Sequence, residues 1–99
     1  MNTPGYILLV KFRSPLSLEE ARKVIDNRLP EFQALSGLQQ KYYTYEPETG
    51  DYAGVYLWDS AEALDAFRAS ELRKTIALAY KTEGQPRVEV LQVIKPLRP

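Results

Sequence analysis

The pattern of apolar and polar positions divides the chain into strand-like and helix-like segments. Tyr6 to Arg13 is rich in aromatic, aliphatic and β-branched residues, which predicts a strand. Ser17-Leu18-Glu19-Glu20 has the form of a capping box with Ser17 as the N-cap. The apolar positions that follow have helical spacing: Leu18, Ala21, Ile25 and Leu29. Pro30 is expected to end or kink this helix near Leu29, with Phe32 and Leu35 packing a last turn.

Three further strand segments follow, two of them joined as a hairpin. The hairpin strands are predicted over Leu38 to Glu46 and Asp51 to Trp58, and residues 47–50 between them have the composition of a turn. A loop is predicted over 83–86, and the last strand is predicted from Arg87 to Lys95.

A second helical region lies between the hairpin and the last strand. Asp59 or Ser60 is expected to cap it, and Ala69-Ser70 to interrupt it before a second segment ends near Tyr80. The resulting β-α-β-β-α-β order gives a four-stranded antiparallel sheet with the helices on one face. We therefore expect an α+β fold, as one domain spanning residues 1–99.

Alternation along the hairpin strands divides their side chains into two sets. A tight turn near Thr49-Gly50 makes odd positions of the second strand oppose even positions of the third. One set is large and aromatic: Gln39, Lys41, Tyr43, Tyr45, Tyr52, Gly54, Tyr56 and Trp58. The other is more compact and apolar on the third strand: Leu38, Gln40, Tyr42, Thr44, Ala53, Val55 and Leu57. We expect the helices to cover the compact set, so that the aromatic set faces away from them.

The outer strands are expected to extend this aromatic face. The first strand contributes Ile7, Leu9, Lys11 and Arg13, and the last strand either Glu89, Leu91 and Val93 or Val90, Gln92 and Ile94. A large exposed aromatic patch marks an interface or a ligand site. We expect a homodimer in which two sheets pack face to face about a two-fold axis and enclose a pocket. The simpler interpretation is that these rings only form the core of the interface.

The absence of two residue types restricts the chemistry of the chain. It contains no cysteine and no histidine, which excludes thiolate nucleophiles, Ser-His-Asp triads and the usual ligands of transition metals. A carboxylate-only site for Mg²⁺ or Ca²⁺ stays open, but the acidic residues are dispersed over helices and turns, so no metal site is expected. Thirteen basic and thirteen acidic residues balance, so no electrostatic drive toward nucleic acid or membranes is expected. The N-terminus does not resemble a signal peptide and no apolar run is long enough to span a membrane, so the cytoplasm is expected.

One segment of the hairpin resembles a known family. The pattern glycine, apolar, x, x, lysine, x, aromatic, threonine, followed by Gly-Val-Tyr-Leu-Trp, is similar to that of the YdhR-like family of putative mono-oxygenases, within the antibiotic-biosynthesis monooxygenase type of dimeric α+β barrel. It falls on Gly37, Leu38, Lys41, Tyr43, Thr44, Gly54, Val55, Tyr56, Leu57 and Trp58. The resemblance implies a ferredoxin-like homodimer with a cavity in each subunit. Related barrels include oxygenases that need neither metal nor flavin.

The leading hypothesis is a cofactor-independent monooxygenase acting on dioxygen and a small aromatic or polyketide-like phenol. Lys41 is the candidate cation that stabilises a substrate oxyanion, with Tyr43 and Tyr56 as proton-relay or hydrogen-bond partners. Trp58 is the candidate ring on which the substrate would stack, and Tyr45 and Tyr52 are further candidates for substrate binding. No cofactor is expected. The structural interpretation of Lys41 is a solvent-facing lysine of an edge strand.

Other functions use the same residues. An isomerase, cyclase or dehydratase on the same barrel could use the tyrosines as acid and base, and a non-catalytic small-molecule-binding protein needs only the cavity. An RNA-binding module shares the strand order, but zero net charge and Asp51 at the start of the third strand count against it. Arg68, Arg73, Lys74 and Lys81 are interpreted as a solvated helix face.

Overall fold

The computed structural model describes residues 4–98, so Met1-Asn2-Thr3, on which the expected localisation partly rests, lie outside the described residues. The elements are β1 (Tyr6–Arg13), α1 (Leu18–Gln33), β2 (Leu38–Tyr45), β3 (Tyr52–Trp58), α2 (Ala61–Arg68), α3 (Glu71–Tyr80) and β4 (Glu83–Gln92). The strands form one antiparallel sheet in the order β2-β3-β1-β4. This confirms the predicted ferredoxin-like α+β fold. Within residues 4–98, none of the helices combines the length and apolar character needed to cross a membrane.

The helix starts follow the sequence signals. The Ser17 hydroxyl accepts a hydrogen bond from the Glu20 amide at 3.1 Å, and the Ser17 amide donates to the Glu20 carboxylate at 2.8 Å. This is the predicted capping box. Ser60 caps α2 and Ser70 caps α3, so the predicted interruption at Ala69-Ser70 is confirmed. Helix α1 does not end at Pro30 but continues to Gln33. Proline removes only its own amide from the hydrogen-bond ladder, and the buried Phe32 ring anchors the turn that follows.

The predicted bounds of the last strand are wrong. Residues 83–86, predicted as a loop, are the first residues of β4, and the strand ends at Gln92 rather than at Lys95. Strand β4 is an edge of the sheet, where a proline such as Pro86 is tolerated because its missing N–H can face away from the neighbouring strand. The pairing of β1 with β4 shifts register between the Lys11–Arg87 pair and the Arg13–Glu83 pair, and Pro86 lies within this irregularity.

From Lys41 to Tyr45 the register of the hairpin is as predicted, but the assignment of its faces is wrong. Lys41 pairs with Tyr56, Tyr43 with Gly54 and Tyr45 with Tyr52. The aromatic set, however, lies beneath the helices: Tyr56 is 2% exposed and Trp58 is 0% exposed. The Phe67 ring of α2 packs on both, at centroid distances of 5.1 and 5.4 Å. Large rings fill the space between the helix layer and the sheet, which the smaller side chains of the other set could not fill.

The residues of β1 that were predicted to extend the aromatic face lie on the opposite side of the sheet. Tyr6, Leu8, Val10 and Phe12 of β1 pair with Trp58, Tyr56, Gly54 and Tyr52, so they, and not the predicted set, share the aromatic face. The opposite side of the sheet, which we call the open face, carries Ile7, Leu9, Lys11, Val55, Leu57, Glu89 and Leu91. Of the two alternatives for β4, Val90 and Gln92 therefore extend the aromatic face, and Glu89 and Leu91 lie on the open face. A register shift near the start of β2 pairs Leu38, rather than Gln39, with Trp58.

Candidate functional site

A groove separates α1 from the edge strand β2. One cavity of about 270 Å³ lies beside the last turns of α1, and one of about 440 Å³ beside its first turns. A small void of about 30 Å³ lies deeper, between the helices and the sheet. Tyr43 lines all three cavities, and Lys41 lines the first and the deep void. We call this region the α1–β2 groove.

The Lys41 side chain turns inward beneath α1 and lies among aromatic rings. Its Nζ is 3.6 Å from the centroid of Phe32, 4.3 Å from that of Tyr43 and 4.4 Å from that of Tyr56. Among residues 4–98, no acidic side chain forms an ion pair with it. Burial, with a smaller contribution from the positive charge of Arg28, lowers the pKa of Lys41 from 10.5 to about 7. The amine is therefore divided between its charged and neutral forms at neutral pH.

A glycine makes room for this arrangement. Gly54 lies opposite Tyr43 on β3, on the same face as Lys41 and Tyr56. A Cβ at Gly54 would lie 2.9 Å from Cε1 of Tyr56 and 3.2 Å from Cε of Lys41. Since the first distance is shorter than van der Waals contact allows, any side chain here would displace the ring or the amine. The absence of a side chain at Gly54 thus allows the lysine to lie against the rings.

Three buried or half-buried tyrosines of this region, Tyr43, Tyr56 and Tyr80, are neutral phenols near pH 7. Burial raises the pKa of Tyr56 well above its usual value, and the nearby Tyr43 and Tyr80 raise it further. Burial also raises the pKa of Tyr43, and raises the pKa of Tyr80 to about 12. These hydroxyls can donate hydrogen bonds at any pH near neutrality, whereas Lys41 can exchange a proton there.

Arg28 is a residue of the site that the sequence analysis missed. Its Nη2 donates to Oγ1 of Thr75 on α3 at 2.7 Å, and its Cζ lies 5.7 Å from the centroid of Phe32. This position holds a positive charge near Lys41 and contributes to the lowered pKa. The signal was present in the sequence, because Arg28 follows Ile25 by three residues and precedes Phe32 by four, which places a charge on the apolar stripe of α1.

The three residues predicted to bind substrate have different surroundings. Tyr52 lines the groove, but its hydroxyl donates to the backbone oxygen of Leu16 at 2.8 Å, so it fastens β3 to the start of α1. Tyr45 is exposed at the groove edge, 5.3 Å from Tyr52 between ring centroids. Trp58 is wholly buried behind Tyr56, with the two rings stacked 6.2 Å apart. The role of Trp58 as a stacking surface for substrate therefore stays a prediction, and its ring is wholly buried in this subunit.

A second groove lies on the other side of the helix layer, between α3 and β4. Its cavity measures about 430 Å³. Three of the residues interpreted from the sequence as a solvated face line it: Arg68, Arg73 and Lys74. We call it the α3–β4 groove. Residues 4–98 contain no cluster of three or more acidic side chains that could hold a metal ion.

The fold is similar to that of several solved structures. SnoaB from Streptomyces nogalater, described as a cofactor-independent oxygenase, has a TM-score of 0.74 at 13% identity over 98% of this chain and 100% of that one. A protein described as a putative antibiotic biosynthesis monooxygenase from Caulobacter crescentus has a TM-score of 0.72 at 21% identity over 93% and 92%. NE2512 from Nitrosomonas europaea, a protein of unknown function, has a TM-score of 0.75 at 14% identity over 100% and 98%.

No family model matches the sequence, and no curated protein matches it significantly. The structural likeness therefore establishes the fold. It confirms, at that level, the resemblance to the antibiotic-biosynthesis monooxygenase barrels that the hairpin sequence indicated.

Proposed function

We propose that this chain is a cofactor-independent monooxygenase that oxidises a small aromatic or polyketide-like phenol in the α1–β2 groove. The observation that supports it most directly is the Lys41 amine, held among three rings without an acidic partner in residues 4–98. The fold shared with SnoaB, a cofactor-independent oxygenase, agrees with this chemistry.

Lys41 can act both as a base and as a cation in such a reaction. With a pKa of about 7, roughly half of the amine is neutral at pH 7 and can take a proton from an acidic substrate. The ammonium ion formed stays beside the substrate anion, where low water access strengthens the attraction. The same residue thus supports deprotonation and stabilises its product.

The oxygen chemistry belongs to the substrate anion. For an anthrone-like R₂CH₂, loss of a proton to Lys41 gives R₂CH⁻, which transfers its electrons to dioxygen and forms a carbon–oxygen bond. The resulting peroxide anion takes a proton to give R₂CHOOH, which loses water to give R₂C=O. The sum, R₂CH₂ + O₂ → R₂C=O + H₂O, needs no further reductant. Tyr43 and Tyr56 supply neutral hydroxyl donors beside the amine for the developing oxyanion.

Oxygen uptake with a panel of anthrone-like phenols tests the proposal. We expect one O₂ consumed per product, with one atom of ¹⁸O₂ in the ketone. Lys41→Met should lower kcat/KM by about 100-fold or more, as expected for loss of a general base. Lys23→Met, which removes a lysine from the exposed face of α1, should leave kcat/KM unchanged.

Three results would contradict this function. Absence of turnover across the panel would remove the enzymatic proposal, and an unchanged rate in Lys41→Met would remove the role of the amine. Turnover that continues without oxygen would instead indicate an isomerase, cyclase or dehydratase.

We also propose that the protein forms a homodimer through the open face. The centre of this face is apolar and incompletely buried in one subunit: Ile7, Leu9, Val55, Leu57 and Leu91. Charged pairs lie toward one end of the same sheet, including Lys11 with Glu46 and Arg13 with Asp51. An apolar centre with a polar rim is typical of a protein interface.

Sedimentation of a charged variant tests the dimer. Leu57→Asp should shift the molar mass from dimer to monomer, because two carboxylates would be buried near the two-fold axis. The matched control is Leu78→Asp on α3, which is 81% exposed and should not change the molar mass. A monomeric wild-type protein at high micromolar concentration would refute the dimer.

A further inference from the structure

The Lys41 amine has the surroundings of a nucleophile as well as those of a base. The rings of Phe32, Tyr43 and Tyr56 all have their centroids within 4.4 Å of its Nζ. Among residues 4–98, the Lys41 side chain forms no ion pair and no hydrogen bond. In its neutral form this amine therefore keeps its lone pair free to attack an electrophile.

The groups that face the amine disfavour its charged form. Arg28 of α1 brings a second positive charge near it. The neighbouring elements contribute neutral phenols: Tyr43 of β2, Tyr56 of β3 and Tyr80 of α3. A lysine becomes nucleophilic at neutral pH when it is desolvated in an apolar pocket or lies close to another cation. Lys41 meets both conditions.

The other lysines of residues 4–98 have surroundings that favour the ammonium ion. A carboxylate beside an amine stabilises its positive charge, and open water solvates it. Lys11, Lys23 and Lys74 pair with carboxylates, and Lys81 and Lys95 are exposed. Lys41 differs from them in both respects, so the same chain supplies reference amines for an experiment on Lys41.

We propose that Lys41 forms an imine with aromatic aldehydes and ketones that enter the α1–β2 groove. Lys41 lines the cavity of about 270 Å³ in this groove, and a carbonyl compound reaches the amine through it. Phe32 and Tyr43 line the same cavity, and their rings favour an aromatic ligand over an aliphatic one. The inference does not rest on the oxygenase proposal, because imine formation needs neither dioxygen nor a phenol.

The covalent step balances with no reactant besides the carbonyl compound. Nζ attacks the carbonyl carbon and forms a nitrogen–carbon bond, the π electrons move to oxygen, and one proton passes from nitrogen to oxygen. The carbon–oxygen bond of this carbinolamine then breaks as the nitrogen lone pair forms the C=N bond, and the oxygen leaves as water with the second nitrogen proton. The sum is R–NH₂ + ArCHO → R–N=CHAr + H₂O. Tyr43 and Tyr56 supply neutral hydroxyl donors beside the amine for the carbinolamine oxygen.

Reductive labelling with benzaldehyde under nitrogen tests the proposal. Excess cyanoborohydride reduces each imine to a stable benzylamine, so that imine formation limits the rate and each label adds about 90 Da. At pH 7 about half of the Lys41 amine is neutral, against roughly one part in 2,500 of an ordinary lysine. A weaker base attacks more slowly, which offsets part of this ratio, and we expect Lys41 to be labelled about 50-fold faster than Lys23 in a peptide map.

Variants and a second aldehyde identify the site. Lys41→Met should remove the fast label, and Lys23→Met, which alters an exposed lysine of α1, should keep it. Propanal, which lacks the ring, should label Lys41 about tenfold more slowly than benzaldehyde when each rate is divided by that at Lys23. If Lys41→Met does not fold, the pH dependence in the wild-type protein replaces it. The rate at Lys41 should level off above about pH 7, whereas an ordinary exposed lysine shows no plateau below about pH 9.

Three results would overturn the proposal: labelling of Lys41 no faster than that of Lys23, a fast label that persists in Lys41→Met, or equal relative rates with benzaldehyde and propanal. The oxygen-uptake assay keeps the two proposals apart. A protein that oxidises phenols but is not labelled at Lys41 contradicts only the imine. One that is labelled rapidly at Lys41 but consumes no oxygen contradicts only the oxygenase.

Discussion

Replacing Lys41 by methionine is expected to change how the stability of the protein depends on pH. In the folded protein the pKa of Lys41 is about 7, whereas in the unfolded chain it is close to the ordinary 10.5. Between these values the unfolded chain binds one proton more than the folded protein. Stability must therefore rise with pH through this window. Methionine fills a similar space, has no titrating group, and removes this rise.

The size of the effect follows from the two pKa values. One pH unit corresponds to about 1.4 kcal/mol for one proton, and the window between pH 7 and pH 9 covers two units. The wild-type protein should therefore gain about 2.5 kcal/mol of unfolding free energy between pH 6 and pH 9, relative to Lys41→Met. Few other groups titrate there, because the chain has no histidine or cysteine. The raised pKa values of Tyr56 and Tyr80 keep those phenols neutral over the same range.

Urea unfolding followed by the fluorescence of Trp58 measures this difference. Trp58 is the single tryptophan and is wholly buried, so its emission reports the loss of the core. Groups whose surroundings are the same in wild type and variant titrate equally in both proteins and cancel in the difference. Lys23→Met should give a curve parallel to wild type, because this lysine is exposed. If the curves of wild type and Lys41→Met are also parallel from pH 6 to pH 9, Lys41 is not desolvated and its assignment as a base fails.

Two further predictions concern the side chains around this lysine. Gly54→Ala should destabilise the protein by about 2 kcal/mol, since the new methyl group would lie 2.9 Å from the Tyr56 ring; Gly5→Ala, where a Cβ meets nothing closer than 3.4 Å, is the control and should unfold at nearly the wild-type urea concentration. Tyr52→Phe should cost about 1 kcal/mol through loss of the hydrogen bond to the Leu16 oxygen, measured in the same urea assay; a variant as stable as wild type would show that this bond contributes nothing.

The local elements could be predicted from the sequence because their causes are local. A serine three residues before a glutamate favours a helix start through hydrogen bonds within four residues, and Ser17 and Glu20 form these bonds here. The turn over residues 47–50 sets the pairing of the hairpin, which in turn places Lys41, Tyr43 and Tyr56 on one face. The grouping of these three candidate residues therefore came from alternation alone. The start of β4 at Glu83 could not be predicted in this way, because a strand tolerates a proline such as Pro86 only where it forms the edge of the sheet.

Only the tertiary structure decided which face of the sheet the helices cover. Alternation along β3 produces two sets, Tyr52, Gly54, Tyr56 and Trp58 on one side and Ala53, Val55 and Leu57 on the other, and both contain enough apolar surface to be buried. Which set is buried depends on the volume that side chains must fill between the helices and the sheet. Phe32 and Phe67 pack there against the rings of β3. Packing of this kind is a property of all the elements together. The same packing buries Lys41 and thereby lowers the pKa of its amine. The sequence predicted the position of Lys41 on the strand, but it could not predict this pKa, because burial depends on the packed structure.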